Sequence, residues 1–219
     1  LPVQLDEIQQ IEVVKGPQAA LYGFNAVSGV VNIITRDPTL GDWSTVSVSA
    51  GTGEYRELSA TFGRQLGERF ALRGSLGINQ ADEFNETPLF QVPDYASFES
   101  LEAALELRGA LTEAFDFSLE ATYANNERNE LAGMYYFSDG YTELSSFKAE
   151  LVGDLDVGVL TTRAYRNNAD VDMLYPATNR VTVGQAELLS QLSTRDTTRV
   201  AVEYRYNEMD STGSDDWGR

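Results

Sequence analysis

Residues 11–38 read "IEVVKGPQAALYGFNAVSGVVNIITRDP", and this stretch decides how the rest of the chain is interpreted. A β-branched run is followed by a Gly-Pro break, a short helix-forming segment and a second β-branched run. Gly16 and Pro17 end the first strand, because glycine tolerates positive φ and proline lacks an amide donor. The pattern predicts a strand, a turn of helix over 18–22, and a second strand with both faces covered.

Phosphate-binding loops also begin with a strand and a glycine turn, so a phosphate site is the first alternative for this stretch. A Walker-type loop requires Gly-Lys-Ser/Thr after its second glycine, because the lysine reaches the phosphates. Here Gly23 is followed by Phe24 and Asn25. The segment "GTGEYR" carries Arg56 where a dinucleotide fingerprint needs its third glycine. Neither kind of phosphate site is predicted.

Composition excludes several functional classes. The formal net charge is −18, with 34 acidic and 16 basic residues, so a nucleic-acid partner is not predicted. A chain with 42% hydrophobic and 11% aromatic residues is also too apolar for a disordered acidic tail. Cysteine and histidine are absent, which excludes disulfides, a thiolate or imidazole metal site and a Ser-His-Asp triad. We predict no catalytic residue, no metal site and no cofactor.

From Trp43 onward, apolar and polar residues alternate with a period of two. In "FDFSLEATYAN", for example, one face carries Phe115, Phe117 and Tyr123. Such segments are of the length, about 9–11 residues, that a tilted strand needs to cross a bilayer, whereas globular strands average about 5–6. The alternation predicts about nine strands, near 44–51, 55–66, 69–80, 100–111, 115–125, 144–155, 157–168, 185–194 and 199–207.

The predicted connections alternate between short and long. Tight turns are predicted at 66–69, 112–115, 154–157 and 194–197, and long loops at 81–99, 126–143 and 169–184. Outer-membrane barrels have this rhythm, with short turns on the periplasmic side and long loops outside. A soluble β-sandwich also alternates apolar and polar residues along its strands, so it stays an alternative on the pattern alone.

The opening stretch resembles the end of the plug domain in TonB-dependent outer-membrane receptors. In that family, "I-E-V-V-[KR]-G-P" precedes "L-Y-G" and "G-V-[VI]-N-I-[IV]-T-[KR]". Two residues depart from the family: Phe24 stands where a small residue, often serine, is usual, and Ser28 stands where glycine is common. The motif residues, to which we assign a structural role, are Gly16, Pro17, Leu21, Tyr22, Gly23, Gly29 and Asn32.

The resemblance implies a mainly β fold made of two domains. Residues 1–38 would be the C-terminal part of an α+β plug domain, and 39–219 the N-terminal part of a transmembrane antiparallel β-barrel of about 22 strands. The chain would then be a fragment of a longer protein. Its localisation would be the outer membrane of a Gram-negative bacterium.

The function implied by the resemblance is TonB-dependent uptake of a scarce nutrient, and not an enzymatic activity. An iron-siderophore complex is the foremost substrate, with cobalamin or a carbohydrate as further choices. Partners would be outer-membrane lipid and TonB, the latter through a segment absent from this chain. A passive porin-like channel is the principal alternative, and a soluble β-sandwich binding domain is the other.

Aromatic residues in the predicted long loops are the candidate substrate contacts. Rigid amphipathic rings suit the capture of a chelate or a sugar, although such residues also form interfacial girdles around barrels. The candidates are Phe90, Tyr95, Tyr135, Tyr136, Tyr141 and Tyr175.

Overall fold

The computed structural model describes residues 3–17, 27–82, 97–132, 136–172, 176–193 and 195–211. These residues form two separate antiparallel sheets. The first is a hairpin of β1 (Ile8–Lys15) and β2 (Gly29–Thr35), flanked by 3₁₀ turns at Leu5–Glu7 and Pro38–Leu40. We refer to the described residues between 3 and 42 as the N-terminal segment. The helical turn predicted at 18–22 lies outside the described residues.

The second sheet contains nine strands, as predicted, arranged in sequence order with each strand antiparallel to the next. In the described part of the chain, β3 and β11 form its two edges. The strands are β3 (Trp43–Ala50), β4 (Arg56–Leu66), β5 (Phe70–Asp82), β6 (Ser97–Ala110), β7 (Phe115–Ala132), β8 (Tyr136–Leu155), β9 (Gly158–Asp172), β10 (Ala177–Gln191) and β11 (Thr197–Ser211). No helix among the described residues is long and apolar enough to cross a bilayer.

The two faces of the nine-stranded sheet differ in chemistry. The inner face carries the N-terminal segment, and one row of neighbouring side chains across it is Trp43, Gly63, Arg73, Glu106, Glu120, Lys148, Tyr165, Val183 and Arg205. The outer face carries large apolar side chains that remain exposed, such as Leu105 at 51% and Phe147 at 53%. A second sheet would cover such a face in a soluble sandwich. Exposure to lipid explains it instead.

The apolar band on the outer face has an oblique upper boundary. One register row is apolar on β3–β6 and polar or charged from β7 to β11. Because barrel strands tilt by about 35–45°, a row of paired residues crosses the membrane boundary at an angle. The far ends of β7–β11 therefore extend beyond the band. The row consists of Val48, Leu58, Ile78, Leu101, Asn125, Glu143, Asp170, Thr178 and Asp210.

These extensions correct the predicted loops at 126–143 and 169–184, which are largely strand. β7 continues to Ala132, and β8 already begins at Tyr136 and runs for 20 residues. In β7 the alternation is lost because every residue from Asn125 to Glu130 is polar, while backbone pairing continues to Ala132. The prediction that Tyr136 and Tyr141 lie in a loop was therefore wrong. Both belong to β8.

The hairpin of β1 and β2 also differs from its predicted environment. Val13 and Val31 lie directly opposite each other, and they are 60% and 64% exposed. The prediction that both faces of the second strand are covered is not met by the residues that the structure describes. The strand itself is confirmed, since β2 spans Gly29–Thr35.

Candidate functional site

The N-terminal segment rests on the inner face of β3–β6 through its polar side chains. The Gln4 amide Nε2 donates to Glu102 Oε2 on β6 at 3.0 Å. The Ser47 hydroxyl on β3 donates to Asp6 Oδ2 at 2.5 Å. The amide of Arg36 donates to the carbonyl of Glu7 at 2.8 Å, which ties the two ends of the hairpin together. The segment is thus fixed at both ends over the same strands.

A buried ionic cluster lies at the centre of this contact. We call it the Arg73 cluster, and it consists of Glu7, Arg73, Glu106 and Glu120. Arg73 Nη1 lies 2.9 Å from Glu7 Oε2, and Nη2 lies 2.8 Å from Glu106 Oε2 and 3.6 Å from Glu120 Oε2. The Ser75 hydroxyl donates to Glu7 Oε1 at 3.1 Å. The Glu7, Arg73 and Glu106 side chains are 1%, 7% and 3% exposed.

The geometry of the cluster follows from the register of the sheet. Arg73 on β5 lies directly opposite Glu106 on β6, and Glu106 opposite Glu120 on β7. The 3₁₀ turn at Leu5–Glu7 then adds the carboxylate of Glu7 from above the sheet. Burying a charge costs several kcal/mol unless it is paired and hydrogen-bonded. The cluster meets this condition, because Arg73 pairs with Glu7 of the N-terminal segment as well as with Glu106 of the sheet.

A second, more exposed set of contacts extends the cluster toward the tight-turn end of the strands. Arg108 Nη1 lies 3.4 Å from Asp37 Oδ2, and Arg108 Nε donates to Glu106 Oε1. Asp37 Oδ1 accepts from the amide and the hydroxyl of Thr39 at 2.8 and 2.7 Å. Partial burial opposes ionisation of Asp37, but the Thr39 hydrogen bonds and the charge of Arg108 outweigh it and hold its pKa below the usual value.

A cavity of about 420 Å³ opens beside these contacts on the inner face. Its walls include both signs of charge, with Arg108 and Lys148 facing Glu120 and Glu150. Such walls can hold a polar or zwitterionic group. No set of three or more carboxylates in the described ranges is arranged to hold a metal ion.

The motif residues that the structure describes lie in the hairpin. Gly16 has a φ of +96° and its amide donates to the Ser28 carbonyl at 3.0 Å. A Cβ at Gly29 would lie 2.7 Å from the Val14 carbonyl oxygen, so close strand approach requires a glycine there. The Asn32 amide donates to Glu12 Oε2 at 3.1 Å. Pro17 ends the first described range, and Leu21, Tyr22 and Gly23 lie outside the described residues.

The candidate substrate contacts are only partly located by the structure. Phe90, Tyr95, Tyr135 and Tyr175 lie outside the described residues. Tyr136 belongs to β8. Tyr141 shares the outer face with Phe147, and its hydroxyl donates to Glu143 Oε2 at 2.7 Å. That position is opposite to the face that carries the N-terminal segment. A substrate role for these residues stays a prediction.

Sequence reasoning did not find the Arg73 cluster. Glu7 and Arg73 are separated by 66 residues, and nothing in the local sequence pairs them. The available signal was the placement of Arg73 and Glu106 at inward positions of neighbouring strands. Only the strand register shows that the two side chains are directly opposite.

Comparison with known proteins finds curated relatives by sequence and solved structures by fold. No protein-family model matches the chain. The vitamin B12 transporter BtuB of Vibrio cholerae is 36% identical over 92 residues, which is 42% of this chain and 15% of that protein. The BtuB of Vibrio vulnificus is 38% identical over 87 residues, or 40% of this chain and 13% of that protein.

Solved structures share the fold over almost the whole chain. The siderophore receptor PirA from Pseudomonas aeruginosa matches with a TM-score of 0.75 and 19% identity, over 97% of this chain and 38% of that one. The ferric enterobactin receptor PfeA from the same organism gives a TM-score of 0.72 and 18% identity, over 95% and 37%. This chain therefore spans less than two-fifths of either receptor, and its nine-stranded sheet has the fold of part of their barrels.

Three independent observations now agree. The motif of residues 11–36 fits at fixed spacing, the aligned relatives are vitamin B12 transporters, and the sheet has an apolar outer face and a polar inner face. The relatives and structural neighbours are transporters and receptors rather than enzymes. The chain thus resembles the TonB-dependent outer-membrane receptors in its motif, in its aligned sequence and in its fold.

Proposed function

We propose that the protein containing this chain takes up a scarce, bulky nutrient across the outer membrane, with energy supplied through TonB. The observation that carries the proposal is the N-terminal segment seated on the inner face by the Arg73 cluster. We assign residues 1–38 to the C-terminal part of a plug and 39–219 to the N-terminal part of the barrel. A barrel whose inner face is occupied in this way has to rearrange before a solute passes, and that rearrangement requires energy.

The substrate proposed is an iron-siderophore complex or a corrinoid, with a carbohydrate as a further choice. The structural neighbours are siderophore receptors, whereas the relatives aligned by sequence are vitamin B12 transporters. The aligned sequence covers only part of the chain, so it supports the proposed family more strongly than it supports a particular substrate. The fold likeness at under 20% identity supports the architecture and leaves the substrate open.

Uptake by living cells tests this function directly. The intact gene should restore growth of a receptor-deficient strain on a limiting iron chelate or corrinoid, and this rescue should disappear in a strain without TonB. A rescue that persists without TonB would contradict the proposal. Substitution of Gly29 by leucine, which cannot fit against the Val14 carbonyl, provides a variant with a disturbed N-terminal segment for comparison.

A passive porin-like channel is the second candidate, and conductance separates it from an energised receptor. We expect the intact wild-type protein to be nearly silent in planar bilayers, because the N-terminal segment obstructs the inner face. Removal of Arg73 should raise the frequency of open events, since Glu7 then loses its buried cation. Steady large conductance from the wild-type protein would support the porin instead.

A further inference from the structure

The N-terminal segment has two parts that differ in their attachment to the nine-stranded sheet. We call residues 3–8 and 35–42 the base, and residues 10–15 and 29–34 the arms of the hairpin. In the described structure, every hydrogen bond and ion pair that joins the segment to the sheet involves the base. The base residues that make these contacts are Gln4, Asp6, Glu7, Asp37, Thr39 and Asp42.

The base is fixed on both sides of the hairpin. On the side that precedes β1, the Glu7 side chain is 1% exposed and lies against Arg73. On the side that follows β2, the Thr39 carbonyl accepts from Gln65 Nε2 at 2.5 Å, and Asp42 Oδ1 accepts from the amide of Gln65 at 2.8 Å. Movement of the base would therefore break several contacts at once, and one of them involves a buried charge.

The described arms are joined to each other, and none of their hydrogen bonds or ion pairs reaches the nine-stranded sheet. Besides the ladder of β1 and β2, their polar contacts are those of Glu12 with Gln10 and Asn32. Val13 and Val31, which lie opposite each other, are 60% and 64% exposed. Within the described residues, the arms are therefore linked to the barrel through the base.

A β-bulge lies where the base meets the arms. Ile8 pairs with Thr35 and Gln10 pairs with Ile34, so Gln9 has no partner across the hairpin and the register shifts there. A bulge interrupts the ladder of hydrogen bonds locally and bends the strand. The side chain of Gln9 is exposed, so packing around it does not fix the irregularity. The ladder of the hairpin is thus interrupted at the boundary between the base and the arms.

We propose that the bulge at Gln9 is a hinge, about which the arms bend during uptake while the base stays on β3–β6. The inference rests on the proposed uptake function and says which part of the N-terminal segment rearranges. Hinges are a few residues at the ends of elements that absorb changes in φ and ψ, and a residue outside the ladder can do so without breaking ladder hydrogen bonds. The base is unsuited to this movement, because its departure would separate a buried ion pair. The open events expected on removal of Arg73 would then follow a route that the wild-type receptor does not use.

A reversible cross-link between the base and the sheet tests whether the base moves. Asp6 and Ser47 are hydrogen-bonded across this contact, and the chain contains no cysteine, so Asp6→Cys with Ser47→Cys introduces a unique pair of thiols into it. We expect cells that carry the intact receptor to take up radiolabelled cyanocobalamin or a ferric trihydroxamate equally well before and after a short bis-thiosulfonate reagent joins the two thiols. Loss of uptake on cross-linking, with recovery after reduction, would overturn the inference, because the base would then have to move.

Deletion of Gln9 tests the hinge itself. The deletion keeps Ile8 opposite Thr35 and Gln10 opposite Ile34, and it makes the ladder regular. We expect uptake to fall by about 2–12-fold, the factor that follows if the regular ladder gains one net hydrogen bond against bending. Binding of the same probe should be unchanged. The matched control is Gln9→Ala, which keeps the bulge and removes only an exposed side chain, and it should retain wild-type uptake.

Distances between spin labels report the movement without any nutrient. One label is placed at Val157, in the tight turn between β8 and β9, and the other at Val13 in the arms or at Leu40 in the base, since all three side chains are exposed. In urea below the unfolding transition of the intact receptor, we expect the distance distribution of Val13 to broaden while that of Leu40 stays narrow. Deletion of Gln9 should move the broadening to higher urea. Broadening of both sites at the same urea concentration would overturn the hinge.

The outcomes distinguish the hinge from the function on which it rests. Wild-type uptake that the deletion of Gln9 leaves unchanged would leave the function standing and overturn the hinge alone. Absence of uptake of both probes by the wild-type receptor would count against the proposed function, while the distances in urea would still show whether the arms bend before the base. The cross-link and the wild-type distances decide the question if the deletion variant does not fold.

Discussion

Two arginine–glutamate pairs on the inner face have the same construction and different surroundings. Arg73 lies directly opposite Glu106 on neighbouring strands, and Arg163 lies directly opposite Glu150. The side chains of the first pair are 7% and 3% exposed, whereas those of the second are 44% and 24% exposed. The sheet alone would give both pairs similar exposure. The difference arises because the N-terminal segment covers β5 and β6.

The comparison shows that strand register brings the two side chains of each pair together, whereas burial determines how much the pair contributes to stability. Exposed ion pairs contribute about 0–1 kcal/mol, because water screens both charges. A buried pair contributes mainly by the penalty that follows when one partner is removed. Glu7 adds a third charge to the covered pair, so the covering segment and the barrel depend on each other. The inner face thus contains one ion pair that is covered by the N-terminal segment and interacts with it, and another that is exposed and does not.

Removal of Arg73 should give the largest effect. Arg73→Ala leaves the carboxylates of Glu7 and Glu106 buried without their cation, and we expect the free energy of unfolding to fall by about 3–5 kcal/mol. Equilibrium urea unfolding of the intact receptor in detergent measures the change.

Arg163→Ala is the matched control, since it removes an arginine from an exposed pair of the same construction. Its expected loss is at most about 1 kcal/mol. Comparable losses in the two variants would show that the covering segment adds nothing to the Arg73 pair, and would refute the comparison.

Neutralisation of Glu7 should give an intermediate effect. Glu7→Gln keeps the size of the side chain but removes the charge that faces Arg73 Nη1, while Glu106 continues to balance Arg73. We expect the N-terminal segment to be held less tightly by about 1–3 kcal/mol. Faster hydrogen exchange at the Leu5–Glu7 turn, where the Glu7 amide donates to the Gln4 carbonyl, with unchanged exchange in β9, would report this loss.

The control for that variant lies in the same hairpin. Glu12→Gln removes a carboxylate that accepts hydrogen bonds from Gln10 and Asn32 at an exposed position. It should leave the exchange rates of the Leu5–Glu7 turn unchanged, because Glu12 does not contact the Arg73 cluster in the described structure. An equal effect of the two variants would mean that hairpin stability, rather than docking, controls the measurement.

The strand count was predictable and the strand ends were not, for a reason visible in the sequence. Where one face meets lipid and the other meets water, as in 115–123, alternation defines the strand. From Asn125 to Glu130 every residue is polar, and the pattern that identifies a strand is lost although pairing continues to Ala132. The tyrosines assigned to a loop at 136 and 141 were misplaced by that same loss of signal.

The site was less predictable than the fold because it depends on contacts distant in sequence. The motif around Gly16 and Gly29 indicates the hairpin, since a Cβ at Gly29 would collide with the Val14 carbonyl. The docking contact is carried instead by Glu7, which precedes the motif and whose partner Arg73 on β5 is 66 residues away in sequence. A glutamate in a short polar turn has no sequence signal that distinguishes a solvated carboxylate from a buried one.

Protonation of Asp37 should have the smallest effect on stability, because this carboxylate lies at the partly exposed edge of the region that the N-terminal segment covers. Its pKa is lowered, because the Thr39 hydrogen bonds and Arg108 outweigh partial burial. A group whose folded pKa is depressed contributes stability above its unfolded pKa of about 3.8, and loses it as the pH falls through the lower folded value.

Unfolding of the wild-type receptor and Asp37→Asn should therefore be compared across pH. The wild-type advantage should be constant from neutral pH to about pH 5, decline as the pH passes the ordinary pKa of 3.8, and disappear below the lowered folded pKa. The subtraction removes the other carboxylates, which titrate equally in both proteins. The advantage should also be smaller than the effect of Glu7→Gln, because Asp37 and Arg108 are each about one-third exposed, at 34% and 36%. An advantage that grows as the pH falls would show that burial, which raises the pKa, outweighs the contacts with Thr39 and Arg108.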